Sequence, residues 1–546
     1  MRIAIILVLA TLLPLFTYIA VGFSRRSRAE DESDYFIYSQ RVSAQDYATT
    51  SVGYALQMAA MFLFAYWGAI YGLGALWAAL FWAVGYFVLY RLLNKMIPYH
   101  EQSEATTLHQ YLADSFAAGK PLQTLAAIAT IIGLWGTMML EIDYTLQTYR
   151  PIITNEVVLS ILGGGFLIFG VIYIVKNGYK AEVNTERFQV PCAYGFLIAV
   201  LLVTLPGVWV YGGKVPYFIT SAVLIGSLLL IIIGKLQQGI AMTLTSDRQI
   251  LIPLLGVVGY AIIHFGITRK LAPGNSVTVL DQPLNQQLKA QGYFGLLSLF
   301  VANAFWMPVD LSTWQRIASV EGKDSELLRN LRKGTRRIMF ESPASWCLGV
   351  VLGLIINGSG ILRPAQDASE GLSAFSAALL SGTNIGYLGW AVFLIYPAFL
   401  IACISIMLST VDSLISAIAF TAHRDLPPYT GSGKMRSARL WTVCIALAGL
   451  AIYPAIRWLA GANLSTLLYA SYSAQLSLLV IVLLALAKKR LSKRAAIWSL
   501  LGGFLATVVC CILAVRIPSN PQFAVLPPIF AILGAAAGYI FGYKEA

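Results

Sequence analysis

The chain of 546 residues is 58% hydrophobic and 12% charged, and its mean hydropathy is +0.72. So little polar surface excludes a soluble protein and predicts an all-α polytopic membrane protein. The formal net charge of +13 would suggest a nucleic-acid partner in a soluble chain, but here the charge must be located before it is interpreted. The six cysteines lie in apolar stretches without metal-ligand or redox spacing, which is typical of core residues.

Apolar runs of transmembrane length recur from the first residues onward. The run at 2–22 ends in Ala20-Val21-Gly22, which is similar to a signal-peptidase site, but the arginines that follow it favour a retained anchor over cleavage. Further spans are predicted near 47–71, 74–97, 122–146, 154–176, 189–211, 216–234, 250–268, 292–314, 338–357, 385–421, 438–458, 464–486, 495–515 and 524–542. About fifteen spans place the two termini on opposite sides of the membrane.

Basic residues indicate which side is which, because cytoplasmic loops carry an excess of Lys and Arg. The basic loops are those with Arg25, Arg26 and Arg28; Lys176 and Lys180; 323–337; 424–439; and 488–494. We therefore predict an outside N-terminus and a cytoplasmic C-terminus in a plasma membrane, most simply a bacterial inner membrane. The basic excess is a topology signal and does not indicate nucleic acid.

The most informative span is 401–426, IACISIMLSTVDSLISAIAFTAHRDL. On a helix its oxygen-bearing side chains recur at steps of three and four and share one face. They are Ser405, Ser409, Asp412, Ser413 and Ser416. A carboxyl in hydrocarbon is costly, so this face predicts one wall of an ion path. The alternative is that each hydroxyl merely bonds back to the carbonyl one turn earlier.

The run Leu408–Ser413, followed by Arg424-Asp425-Leu426, resembles the eighth core helix of the sodium:solute symporter family. Other elements similar to family motifs occur in the expected order: Asp34-Tyr35-Phe36, Thr107–Leu112, Asn177–Ala181, Thr185–Gln189, Trp314–Ala318 and Ala485–Arg490. The chain departs from the pattern at Gln110, where an acid is usual, at Asn177, where Gly is usual, and at Glu186, where Asp is usual.

The resemblance implies the LeuT-type fold, in which two inverted repeats of five helices hold solute and ions near the bilayer midplane. The repeats would be 47–212 and 292–486. Residues 1–30 would form an N-terminal transmembrane helix with a basic segment, and 487–546 the C-terminal transmembrane helices. Residues 213–291 would be an inserted helical pair with an outer loop.

The resemblance also implies a sodium site between the first and eighth core helices. The small residues of 51–60 let backbone carbonyls approach an ion. Counting forward from Asp34 selects Gly53 and Leu56 as carbonyl donors. Counting back from the nearer landmark 68–71 selects Ala55 and Met58 instead, and we prefer this second pair. The predicted ligands are the carbonyls of Ala55, Met58 and Ile406 and the hydroxyls of Ser409 and Thr410. These ligands supply the roughly five oxygens that suit a hard cation. For Ala55 and Met58, simple helix packing is the alternative role.

Two acids distinguish the chain within this resemblance. Glu186 lies at the start of the fifth core helix, and Asp412 occupies a position similar to that of a hydroxyl donor in some members, next to Ser413. Close carboxylates cannot both stay ionised in a poorly solvated place unless a cation lies between them or one takes a proton. We therefore predict a second cation site or a proton site here, with a solvated ion pair as the alternative for Glu186.

Polar and aromatic groups predict the solute site less sharply. The candidates are Tyr54, Gln57, Asn303, Trp306, Asp310, Tyr469, Tyr472 and Gln475. Aromatic rings can stack on a solute and amides can orient it. No basic side chain is predicted at the middle of a core helix, which disfavours a strongly anionic solute, although helix N-termini and sodium can also receive a carboxylate.

A sodium-coupled symporter of a small organic solute, such as a sugar, amino acid or carboxylate, accounts for the whole chain. The alternatives are a proton-coupled symporter of the same fold and a transporter-like sensor. An enzyme is disfavoured because the four histidines, His100, His109, His264 and His423, lack ligand spacing. The expected partners are sodium, the solute and the lipid bilayer, and no obligate protein partner is inferred.

Overall fold

The computed structural model describes residues 2–102, 107–236, 297–361, 368–381, 392–427, 435–459, 464–488, 492–517 and 522–544. Its helices are α1 (Arg2–Gly22), α2 (Glu32–Ile37), α3 (Ala44–Ala55), α4 (Met58–Tyr71), α5 (Leu76–Gln102), α6 (Leu108–Ser115), α7 (Gly119–Gln147), α8 (Glu156–Gly207), α9 (Lys214–Leu236), α10 (297–305), α11 (Leu311–Ser319), α12 (Asp324–Gly358), α13 (Ala368–Ser381), α14 (Val392–Asp425), α15 (Met435–Leu459), α16 (Leu464–Leu476), α17 (Leu479–Leu486), α18 (Lys493–Arg516), α19 (Gln522–Val525) and α20 (Pro527–Lys544). The predicted span near 250–268 lies outside these residues.

Length and apolarity identify this chain as a multi-pass membrane protein. Eight described helices can cross a bilayer, or nine if the bent pair α3–α4 is one span. Across the described ranges the β-structure is one isolated parallel bridge, between Val42 and Val320. Helix α9 packs on α12 yet leaves Phe218 and Ile225 more than half exposed, which suits contact with lipid.

Polar side chains mark where several helices begin. An N-cap oxygen accepts a hydrogen bond from an otherwise unsatisfied backbone N–H in the first turn. Such caps are Asp31, Ser43, Thr107, Asn155, Asp310 and Ser492. On the short helix α2, burial raises the pKa of Asp34, but hydrogen bonds from Ser39 and Lys180 outweigh it and hold the pKa below its usual value. The Lys180 ion pair, at 3.1 Å, docks α2 against α8.

The two spans predicted near 154–176 and 189–211 are joined as one long helix, α8, interrupted at Gly178. This residue has φ 62° and ψ −150°, a conformation that side-chain-bearing residues avoid. A Cβ at this position would lie 2.0 Å from the backbone oxygen of Tyr35. The helix therefore bends where the chain crosses α2, and only glycine fits the contact.

Two spans predicted as continuous are broken instead. Helices α3 and α4 are bent by 56° across Leu56 and Gln57. The span predicted near 292–314 is interrupted between α10 and α11 by the 3-10 turn Met307–Val309, and α11 starts anew from its Asp310 cap. Apolarity continues through both breaks, so hydropathy alone does not reveal them.

The basic loop predicted to end at Arg337 is helical. Helix α12 begins at Asp324, about four turns before the expected start near 338. Asp324 and Glu326 lie in its first turn, where negative charge is favoured by the helix dipole. The basic side chains are therefore presented on a helical extension of the span.

Packing brings the oxygen-bearing face of α14 against the bend of α8. Helix α14 packs mainly on α8 and α7, and α12 packs on α4, α5 and α9. Close approach is allowed by glycines: a Cβ at Gly353 of α12 would lie 2.0 Å from the backbone oxygen of Ala65 in α4. The break between α3 and α4 is thereby held between α7, α12 and α14.

Candidate ion and solute site

Ser409 meets Glu186 in the core, directly beside Gly53 of α3. The Ser409 hydroxyl donates to Oε2 of Glu186 at 2.7 Å, and both residues are buried. A Cβ at Gly53 would lie 2.0 Å from that oxygen and 2.5 Å from the hydroxyl of Ser409. The first and eighth core helices therefore approach each other at Gly53.

The carbonyl donors selected by the two counts all lie at the end of α3, in the break or at the start of α4. The carbonyl of Ala55 accepts a hydrogen bond from the indole Nε1 of Trp346 at 2.7 Å, on the α12 side of the break. Met58 is the first residue of α4, so its carbonyl lies within the helical hydrogen-bond ladder. Gly53 lies against Ser409, and its carbonyl accepts the backbone N–H of Leu56, the C-cap residue at the break, at 3.1 Å.

Thr410 and Ile406 lie together on α14. The Thr410 hydroxyl donates to the carbonyl of Ile406 at 3.3 Å, which is the back-bonding that was the alternative to ion binding. This separation nevertheless suits two oxygens that share one cation, because two ligands each about 2.4 Å from a cation lie roughly 3.4 Å apart.

A cluster of three buried carboxyls lies beside Ser409 and Ser413. Glu182, Glu186 and Asp412 are each 0–1% exposed. Arg316 of α11 donates to Glu182 at 2.9 Å and to the hydroxyl of Ser413 at 2.7 Å, and Ser413 also lies 2.8 Å from Glu182. The cluster therefore joins α8, α11 and α14.

Asp412 is held by neutral donors instead of a cation. The hydroxyl of Tyr173 donates to its Oδ2 at 2.6 Å, and Nε2 of Gln189 lies 3.3 Å from the same oxygen. One oxygen of each acid, Oδ1 of Asp412, Oε1 of Glu186 and Oε2 of Glu182, has no hydrogen-bond partner among the described residues. Within the same ranges, no three His, Cys, Asp or Glu side chains are arranged to hold one metal ion.

Glu182 and Arg316 are functional candidates that the sequence reasoning missed. Glu182 lies one helical turn before Glu186, so the i, i+4 spacing would have placed both acids on one face of α8. Arg316 lies in the stretch Trp314–Ala318, which served only as a family landmark. It is 1% exposed, and its guanidinium also stacks over the ring of Tyr54, 4.7 Å from its centroid.

Several of the predicted solute residues lie together near the break between α3 and α4. Tyr54 donates to Oδ1 of Asp310 at 3.0 Å and its ring is stacked 5.9 Å from that of Trp306. The hydroxyl of Tyr472 donates to Oε1 of Gln57 at 2.9 Å, and its ring lies 5.0 Å from Trp306. Five of the eight candidates thus form one connected group.

The other three candidates are buried on helices of the same group. Asn303 is on α10, one turn before Trp306, and its backbone packs against Gly85 of α5. Gln475 lies one turn after Tyr472 on α16, with its side chain next to Gly133 of α7. Tyr469 is buried one turn before Tyr472.

A further carboxyl, Glu141 of α7, closes the break itself. Its two oxygens accept the backbone N–H groups of Met58, at 2.5 Å, and of Ala59, at 3.2 Å. Glu141 is 0% exposed, and it satisfies the N-terminus of α4, which has no side-chain cap of its own. This acid was not among the predicted site residues, although it lies in the run predicted at 122–146.

No protein-family model and no curated protein matches this sequence. Among solved structures, the chain is similar to the substrate-bound outward-open state of a Na+-coupled sialic acid symporter. The two are 13% identical in sequence, with a TM-score of 0.65 over 99% of this chain and 97% of that one. This likeness confirms the predicted fold class, an all-α membrane protein with the LeuT-type arrangement.

Proposed function

We propose that this protein is a sodium-coupled secondary active symporter that imports a small organic solute by alternating access. The observation that carries the proposal is the contact of Ser409 with Gly53, which joins an oxygen-rich face of α14 to a broken helix. Broken helices free backbone carbonyls and place helix ends near the midplane, which is how transporters of this fold hold ions. The fold likeness to a Na+-coupled symporter supports the same conclusion.

Sodium is coordinated in this proposal by carbonyls of Gly53, Leu56 and Ile406 and by the hydroxyls of Ser409 and Thr410. The first two replace Ala55, whose carbonyl accepts the indole N–H of Trp346, and Met58, which is the first residue of α4. The shell is neutral, and the adjacent Glu186 carboxyl supplies negative potential. Inward movement of the cation is driven at about 2.3 kcal/mol per charge per 100 mV of membrane potential.

The test is the sodium dependence of solute uptake in Ser409→Ala, Thr410→Ala and the double variant. Each substitution removes one oxygen from a small shell, so the sodium concentration for half-maximal uptake should rise at least about tenfold in the double variant, since about 1.4 kcal/mol is tenfold. Ser405→Ala is the matched control, because that hydroxyl is on the same helix but bonds Tyr18 at 2.7 Å. Unchanged sodium dependence in the double variant would refute the site.

The acid cluster supports a second coupling event. Glu182, Glu186 and Asp412 carry three negative charges when ionised, and Arg316 balances one of them. Buried like charges must be neutralised by a bound cation or by protons. The second coupled species beside the first sodium is therefore a cation or a proton, held by Glu186, Asp412 and Ser413 on the cytoplasmic side of the sodium site.

Orientation and location follow as part of the proposal. The N-terminus lies outside and the C-terminus in the cytoplasm of a plasma membrane, because the basic loops then face the cytoplasm. The protein works as a transporter and not as an enzyme or a nucleic-acid-binding protein. Its partners are the solute, the coupling ions and the bilayer.

A further inference from the structure

Both broken helices restart on a carboxylate that belongs to the protein. Glu141 receives the first N–H groups of α4, and Asp310 receives the N–H and hydroxyl of Thr313 in α11, at 2.8 and 2.7 Å. These are the positive ends of half-helices, which would otherwise attract an anionic group of a solute. Glu141 and Asp310 are both 0% exposed.

Hydrogen-bond donors are left over beside these carboxylates. Nε2 of Gln57, which lies in the break itself, and Nε1 of Trp306 are buried with no partner within the described part of the chain. The donors Nδ2 of Asn303 and Nε2 of Gln475 also have no partner there, and neither has the acceptor Oε1 of Gln475. Buried polar groups normally have partners, so these donors indicate a ligand that offers oxygen acceptors.

The charges near these donors restrict what the ligand can be. The charge of Arg316 is already paired with the carboxylate of Glu182 at 2.9 Å, although its Nε has no hydrogen-bond partner within the described part of the chain. A carboxylate placed among the donors would have to approach Glu141 and Asp310, and like charges in a buried place repel strongly. The rings of Tyr54, Trp306 and Tyr472 pack against one another near these donors, and aromatic rings of this kind can contact the apolar body of a sugar or polyol.

We propose that the solute is uncharged and rich in hydroxyl or carbonyl oxygens, and that Glu141 and Asp310 exclude carboxylated solutes. This inference rests on the proposed function, since it names the solute class for that same site. It also separates this chain from the structural relative, whose solute, sialic acid, carries a carboxylate.

The experiment measures binding to the purified protein by tryptophan fluorescence, with matched pairs that differ only in one carboxylate. The pairs are glucose with glucuronate and galactose with galacturonate, and glucosamine and sialic acid are added singly. A neutral sugar should bind at least about tenfold more tightly than its acid. The inference is overturned if an acid binds as tightly as its neutral partner, if glucosamine binds more tightly than glucose, or if neither neutral sugar binds.

Variants of Glu141 test whether its carboxylate causes the discrimination against acidic solutes. Glu141→Gln keeps the shape and one acceptor but removes the charge, so it should reduce the ratio of neutral-sugar affinity to acid affinity about tenfold. The matched control is Glu156→Gln, which removes an exposed carboxylate from the first turn of α8. If Glu141→Gln does not fold, Glu141→Asp, which keeps the charge, should retain the discrimination of the wild type. Discrimination unchanged by Glu141→Gln, or lost in Glu141→Asp, overturns the role of Glu141.

Sodium is varied independently so that the two proposals fail separately. If the charge preference appears but sodium alters neither binding nor uptake, the coupling proposal fails and the solute class stands. If sodium promotes the binding of an acid, the coupling proposal stands and the solute class is overturned.

Discussion

Replacing Gly53 by alanine should damage the sodium site more than any other single methyl group added to the core. The new Cβ would lie 2.0 Å from Oε2 of Glu186 and 2.5 Å from the hydroxyl of Ser409, whereas ordinary contacts begin near 3.4 Å. Either the glutamate or helix α3 must therefore move by more than about 1 Å to relieve this overlap. Both movements separate Gly53 from Ser409.

The expected loss of sodium affinity follows from the general cost of overpacking, which is about 1–3 kcal/mol. If that cost falls on the ion-bound geometry, the apparent sodium affinity drops by roughly 5- to 150-fold. The assay is the sodium concentration for half-maximal uptake, together with the thermal shift that sodium induces in the purified protein. Gly165→Ala is the control. Gly165 lies on α8, the helix that carries Glu186, and a Cβ at this position would meet nothing within 4 Å.

A rescue distinguishes a local effect from misfolding. In the Gly53→Ala background, Glu186→Asp shortens the side chain that the new methyl group meets, so part of the sodium affinity should return. A Gly53→Ala protein that is as stable as the wild type and keeps its sodium dependence would refute the proposed position of the ion.

Three further predictions address other parts of the structure. Asp412→Asn should change the sodium-to-solute stoichiometry or the pH dependence of uptake more than stability, because it removes one charge from the buried acid cluster; wild-type values for both would make Asp412 a structural acid. Gly178→Ala should prevent stable folding, seen as loss of a monodisperse peak in size-exclusion chromatography, since its Cβ would meet the backbone of Tyr35; normal folding would contradict the bend of α8 at this glycine. An impermeant thiol reagent should label Thr154→Cys but not Ser325→Cys from outside, both sites being exposed; the reverse pattern would invert the orientation.

The general architecture could be predicted because hydropathy and charge act locally. An acid or a hydroxyl inside an apolar run is visible in the sequence, which is why Ser409, Asp412 and their neighbours on α14 were found. Their environment was not visible. Ser409 meets Glu186, 223 positions away along the chain, through the packing of α14 on α8.

The breaks in the helices depend on distant contacts and were missed for that reason. The start of α4 is capped by Glu141, 83 positions away. An acid near the end of an apolar run looks the same in sequence as an interfacial residue, so its role emerges only in three dimensions. The choice between Gly53 and Ala55 has the same difficulty: two landmarks give two registers, and the side of the helix that faces Ser409 favours Gly53.

Sodium coupling can be measured as uptake into liposomes that contain only the purified protein. An inward sodium gradient should accelerate the uptake of at least one solute from a broad panel, and replacing sodium with potassium should abolish the acceleration. The same solute should in turn accelerate the influx of radioactive sodium, because thermodynamic coupling is reciprocal. Solute uptake that is equal with and without the gradient, together with sodium influx that no solute changes, would contradict the account.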